Sequence, residues 1–193
     1  FIKNLISKKY TDYSSIYNKA ETINIDLKGP FYQILLIDID DFYLISENIS
    51  SSEKELLITS IINLSNNTLK KYYTGIICQS DSDYLISLIN LPDNSSNVNK
   101  LSTDIQQVVY KKLNLSLTIG IGEICAKLPF LTNSYKGALV ALRKKVYKGK
   151  GSIIEYTKLK DHEKNKPVFY PDNKEKEFLN ELRFLNEGKV MVL

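Results

Sequence analysis

The 193 residues contain one histidine, His162, and two cysteines, Cys78 and Cys125. The histidine stands in the charged stretch Lys160-Asp161-His162-Glu163-Lys164, so neither a zinc cluster nor a Ser-His-Asp triad has support. The cysteines lie far apart in apolar surroundings without a CxxC spacing, which reads as two buried free thiols in a reducing compartment. No apolar run approaches the ~20 residues of a membrane span, and no secretory signal opens the chain. The expected location is therefore the cytoplasm, with no direct membrane contact in this segment. Charge of one sign is not concentrated either. The net charge is +4, and the basic residues are dispersed rather than striped, unlike a nucleic-acid footprint. Their densest run, Arg143-Lys144-Lys145 with Lys148 and Lys150, falls where a helix is expected to end, a place that suits cations. That reads as a solvated helix end.

What the chain does have is enough apolar residue, 43%, for the core of one ordinary domain with flanking elements. The organising stretch is Ile34 to Phe42, ILLIDIDDF. Four unbroken apolar residues suit a strand buried on both faces, and the carboxylates that follow mark where burial ends. Asp38 and Asp40 alternate with Ile39, so at period two they share a face and Ile39 takes the other. A buried strand ending in paired carboxylates can build a divalent-metal site, or it can simply meet solvent. Both readings stay open at this point.

Residues 1–22 are expected to form two short amphipathic helices divided near Thr11 and Asp12. After Gly29-Pro30 comes a strand over 31–39. Ser52-Glu53-Lys54-Glu55 has capping-box spacing ahead of a helix running to about residue 71. Strands over 75–79 and 84–89 are joined by the turn composition Ser80-Asp81-Ser82-Asp83, as in a hairpin. A helix with Leu101, Ile105, Val108 and Val109 on one face follows the polar loop 91–99. A strand over 116–121, a helix over 134–147 and a short strand over 152–156 complete the pattern. This order is the split βαβ arrangement of an α/β (α+β) mixed sheet flanked by helices. Residues 157–170 read as a charged linker. Beyond it, a last helix would carry Phe178, Leu179, Leu182 and Leu185 along one side, an apolar stripe that needs a partner. The GxG formed by Gly120 and Gly122 precedes a loop rather than a helix, so a dinucleotide fingerprint is not expected.

Strand 34–37 with Asp38-Ile39-Asp40-Asp41-Phe42, the hairpin, Leu117-Thr118-Ile119-Gly120-Ile121-Gly122 and the segment from Ala138 to Ile154 together resemble the GGDEF domains, the diguanylate cyclase fold. The resemblance covers about residues 31–156 and implies a nucleotidyl-cyclase-like mixed sheet. The amphipathic opening, Asn133-Ser134-Tyr135 leading into Ala138, and Phe169-Tyr170-Pro171 before an acidic-basic helix are similar to features of AraC-type transcription regulators. Many such regulators carry a degenerate GGDEF-like domain ahead of a pair of helix-turn-helix motifs. The division this implies is a helical connector over 1–30, the GGDEF-like domain over 31–156, and a linker with its helix over 157–193 leading to a DNA-binding domain. The chain starts at Phe1, without methionine, so it is expected to be a piece of something longer, and an upstream membrane anchor stays open.

A working cyclase joins two GTP molecules and needs divalent metal, a phosphate cradle and a base pocket. The resemblance implies Asp38 and Asp83 as the surviving metal ligands, enough for weak Mg²⁺ binding at best. Aligning Tyr84 with the Phe of the hairpin motif places Ser80 and Asp81 over its two glycines, and glycines there leave backbone N–H groups unhindered. Tyr43 replaces the lysine of the first motif, and Ser46-Glu47 replaces the Asn-Asp pair for guanine. The phosphate-binding cation of the last helix falls on or beside Val146, with Lys144 and Lys145 close by. The expectation is a non-catalytic regulatory or connector domain, without cofactor, homodimeric, reaching DNA through a domain outside this chain. The alternatives are a diguanylate cyclase with an altered motif and an effector domain that still binds a nucleotide.

Overall fold

The computed structural model describes residues 1–6, 13–22, 27, 29–80 and 84–164. The chain divides into two compact units, residues 1–159 and 160–193. Of the second, the described residues are 160–164, and they are helical.

Strand β1 (Phe31–Ile39) is the middle of a five-stranded sheet. β2 (Thr74–Gln79) and β3 (Tyr84–Leu91) form an antiparallel pair, and β3 lies antiparallel to β1. On its other side β1 is antiparallel to β4 (Leu117–Ile121), which pairs in parallel with β5 (Ile153–Glu155). The order is therefore β2-β3-β1-β4-β5. The apolar run of β1 is buried on both faces, as a central strand requires.

Side-chain alternation along β1 builds two cores. Leu35, Ile37 and Ile39 face one way, against Ile58 and Ile61 of α4 (Ser51–Leu69) and Leu101 and Ile105 of α5 (Asn99–Leu113). Ile34 and Leu36 face the other way, against Ile2 and Leu5 of α1 (Ile2–Ile6) and Ala138 and Leu142 of α6 (Leu131–Arg143). Ile16 and Ala20 of α2 (Tyr13–Thr22) join this second core. The mixed sheet with helices on both faces is the expected fold class.

Several elements differ from the sequence-based expectation. A short helix, α3 (Phe42–Ser46), follows β1 directly, and the reciprocal cap of α4 is made by Ser50 with Glu53. The expected helix over 134–147 begins three residues earlier and breaks at Lys144, where the Lys144 N–H bonds back to Ala141 and tightens the last turn. A four-residue helix, α7 (Lys145–Lys148), resumes beyond it. After β5 the chain turns into helix α8 (Tyr156–Lys164) where a linker is expected.

The β2 edge of the sheet is guarded. Asn66 of α4 donates from Nδ2 to the Ile77 carbonyl at 2.8 Å and accepts the Ile77 N–H on Oδ1, also at 2.8 Å. The amide thus satisfies both backbone groups of an edge residue that an incoming strand would otherwise use. Asn66→Ala should lower stability by about 1–2 kcal/mol and raise self-association through the uncovered edge. Urea unfolding and sedimentation at increasing concentration check this; a variant as stable and as monodisperse as its parent contradicts it.

Candidate functional site

The C-terminal end of β1 opens into a cavity of 560 Å³ whose lining includes Asp38, Phe42, Tyr43, Ser46, Lys54 and Lys145. Asp38 is the last polar residue within the strand, and Asp40 follows one residue beyond it. Ile39 turns into the α4/α5 core, so the two carboxylates share the opposite face, as period two requires.

Their environments differ sharply. The Asp40 side chain is 1% exposed and that of Asp38 is 26% exposed. Asp40 Oδ2 accepts from Ser116 Oγ at 2.6 Å and from the Gly151 N–H at 2.9 Å. Asp40 Oδ1 accepts from Thr118 Oγ1 at 2.7 Å and from Lys145 Nζ at 2.6 Å. Burial works to raise the Asp40 pKa, but Lys145, the two hydroxyls and the Gly151 N–H together outweigh it and hold the carboxyl below its ordinary range. The same ammonium lies 2.5 Å from Asp38 Oδ2. Burial works to lower the Lys145 pKa, while its bonds to Asp38 and Asp40 carry the net shift upward. Lys145 therefore stays charged at neutral pH, and its stabilisation is lost only as pH rises through the folded value, above the ordinary lysine range.

A second pair closes the loop behind it. Asp41 adopts the left-handed conformation that Asp tolerates better than most non-glycine residues, and its carboxylate takes Lys150 Nζ at 2.6 Å. Lys145, Lys150 and the Gly151 N–H thus fasten the α7–β5 segment to the end of β1. The basic run is not the solvated helix end that its composition suggests: two of its lysines are committed to aspartates more than a hundred residues away.

The remaining positions turn inward on their own helix. Ser46 Oγ donates to the Tyr43 carbonyl, and the Tyr43 hydroxyl is held by the Glu47 carboxylate, which raises the phenol pKa. On the hairpin, the Ser80 N–H donates to the Tyr84 carbonyl at 3.3 Å, and the Tyr84 and Tyr135 hydroxyls share a hydrogen bond. Burial first, then that bond, pushes the Tyr135 phenol up to about 12.

Of the metal ligands anticipated from sequence, Asp38 is at the site and Asp83 lies outside the described residues, as do Phe178, Leu179, Leu182 and Leu185. Among the described residues no group of three or more His, Cys, Asp or Glu could hold a metal ion, and no helix is long and apolar enough to cross a membrane. Asp40 was read from sequence only as the face-mate of Asp38, and Ser116, Thr118 and Lys145 were not assigned to the site. The only signals were the period-two partnership of Asp38 and Asp40 and the proximity of Lys145 to the expected phosphate-binding position.

The sequence model of the GGDEF-like domain matches residues 7–143, well over half of the chain. The chain belongs to the GGDEF-like domain family. Its fold is that of solved GGDEF domains. The active GGEEF domain of a diguanylate cyclase from Vibrio cholerae superposes with a TM-score of 0.55 at 15% identity, covering 74% of this chain and 90% of that one. The GGDEF domain of YfiN from Pseudomonas aeruginosa gives 0.54 at 16% identity, with 72% and 86% covered. That of DgcB from Caulobacter crescentus, in complex with c-di-GMP, gives 0.50 at 9% identity, with 73% and 84% covered. At these identities the likeness concerns the fold. No curated protein matches the chain. In this GGDEF-like domain the strand end that would present a metal-binding carboxylate presents one already bridged by an ammonium. Asp38 and Asp40 do not fit a divalent cation while Lys145 stands between them.

Proposed function

We propose that this GGDEF-like domain is a non-catalytic regulatory or connector module. The observation that carries the reading is the commitment of charge at the end of β1. Lys145 bridges Asp38 and Asp40, and Lys150 is spent on Asp41. Phosphoryl transfer between nucleotides needs metal to neutralise developing charge and cations to hold phosphate. Here the carboxylates and the cations neutralise each other. Asp81, in place of a glycine in the hairpin motif, adds a negative charge to the same sequence neighbourhood.

The context that fits is an AraC-type transcription regulator acting as a homodimer without a cofactor. The domain would pass an upstream signal to helix-turn-helix motifs outside this chain, and the helix carrying Phe178, Leu179, Leu182 and Leu185 would serve as a contact surface. The features quoted from both ends of the sequence support this context. The 560 Å³ cavity beside Phe42 and Tyr43 favours one second reading, an effector domain that still binds a nucleotide.

Purified protein supplied with GTP and either Mg²⁺ or Mn²⁺ should form no cyclic dinucleotide. Product that appears with the parent protein and disappears with Asp38→Ala would overturn the non-catalytic reading.

A further inference from the structure

The Lys145 ammonium sits 2.5 Å from Asp38 Oδ2 and 2.6 Å from Asp40 Oδ1, so two carboxylate oxygens from one strand end converge on a single point of positive charge. Oxygen ligands of Mg²⁺ or Ca²⁺ lie at about 2.0–2.6 Å, so the same two oxygens span a distance that a divalent cation could bridge. Asp40 is also held by Ser116, Thr118 and the Gly151 N–H, three donors besides Lys145. We infer that Lys145 is a tethered cation that takes the place of a divalent metal at Asp38 and Asp40, and that it keeps metal away from a pair of carboxylates that would otherwise share one.

The physical reason is effective concentration. An ammonium carried on α7, itself fastened by the Lys150–Asp41 pair, competes for the two carboxylates as an intramolecular ligand. A metal ion must displace it, leave a lysine without its counter-ions, and lose much of its own hydration. Docking of α7 and metal binding are then mutually exclusive, and by linkage each weakens the other equally. The domain keeps one charge-compensated arrangement whatever the divalent-ion level. This inference rests on the non-catalytic reading and deepens it, but it concerns metal affinity, whereas that reading stands or falls on GTP turnover.

The test uses the whole 193-residue chain with Tb³⁺ as a luminescent probe excited through tyrosine, and Mg²⁺ in thermal melts. The parent protein should give no saturable Tb³⁺ signal and the same Tm with chelator as with millimolar Mg²⁺. Lys145→Met should bind Tb³⁺ at one site, at least about tenfold more tightly than the parent, and gain about 4 °C in Tm from Mg²⁺. Lys145→Arg, which keeps the charge, should behave as the parent does. Adding Asp38→Asn to Lys145→Met should abolish the gained binding. Should Lys145→Met be unfolded in chelator, recovery of its circular dichroism on adding Mg²⁺ is the expected result. A parent protein that binds Tb³⁺ in an Asp38-dependent way overturns the inference, as does a Lys145→Met variant that gains neither binding nor metal-dependent structure.

Discussion

Asp40→Ala should destabilise the domain by about 3 kcal/mol, and Asp38→Ala by less than about 1 kcal/mol, although the two aspartates are two residues apart on one face. The difference follows from what each leaves behind. Without Asp40, the fully buried Thr118 hydroxyl and the Ser116 hydroxyl lose their acceptor, the Gly151 N–H keeps only Thr118 Oγ1 at 3.2 Å, and Lys145 keeps only its partly exposed partner. Without Asp38, Lys145 still has Asp40, and solvent screens the rest. Urea unfolding of the two variants checks the ranking, and equal losses would refute it. Protonation should reproduce part of the effect. The folded Asp40 pKa lies below the unfolded one, so its stabilisation is complete above the ordinary carboxylate range and is lost as pH falls through the folded value. The stability gap between the parent and Asp40→Asn should therefore be widest near neutral pH and narrow below about pH 4.

The second large effect is expected at the glycines that end β4. A Cβ on Gly122 would lie 2.0 Å from the Ser134 carbonyl oxygen and 2.7 Å from Ser134 Oγ. One on Gly120 would lie 2.4 Å from the Ala138 carbonyl oxygen and 2.7 Å from the Leu142 nitrogen. Apart from Ser134 Oγ these are backbone atoms of α6, which no rotamer change can move aside. Ser134 is moreover engaged with β1, where its Oγ accepts the Ile34 N–H at 2.9 Å. Adding a methyl group must lift the helix off the sheet, break that bond, and loosen Ala138 and Leu142 from the second core. Gly122→Ala and Gly120→Ala should each cost about 3 kcal/mol or more, at the upper end of overpacking effects. Lifting α6 also withdraws Lys145, two residues beyond its end, so the pH response attributed to Asp40 should weaken in the same variants. A Gly122→Ala protein within about 1 kcal/mol of its parent would contradict so close a packing of helix and sheet.

Much of this molecule was legible from neighbouring residues. The run Ile34 to Ile37 dictated a central strand, because a strand covered by helices on both faces must be apolar at every position. Period two placed Asp38 and Asp40 together and sent Ile39 to the other core. Where two local solutions were equal, the sequence could not choose. Ser50 and Ser52 each precede a glutamate by three residues, and Ser50 became the cap because its backbone is the one left extended as the chain enters the helix. The GxG of Gly120 and Gly122 gave no sign of why glycine stands there, since the atoms that forbid a side chain belong to α6, which lies beyond the loop that follows.

The site was settled at still longer range. Composition gave Lys145 as one cation in a basic run, and its partners are 107 residues away in the case of Asp38. An ion pair of this kind has no periodicity of its own. It exists because β1 pairs with β4, α6 crosses behind them, and the helix breaks at Lys144 rather than continuing to Tyr147. Local sequence fixed where carboxylates and cations could occur, through burial and alternation. Only the tertiary structure decided which of them neutralise one another, because Coulombic pairing depends on separations in space that no spacing along the chain records.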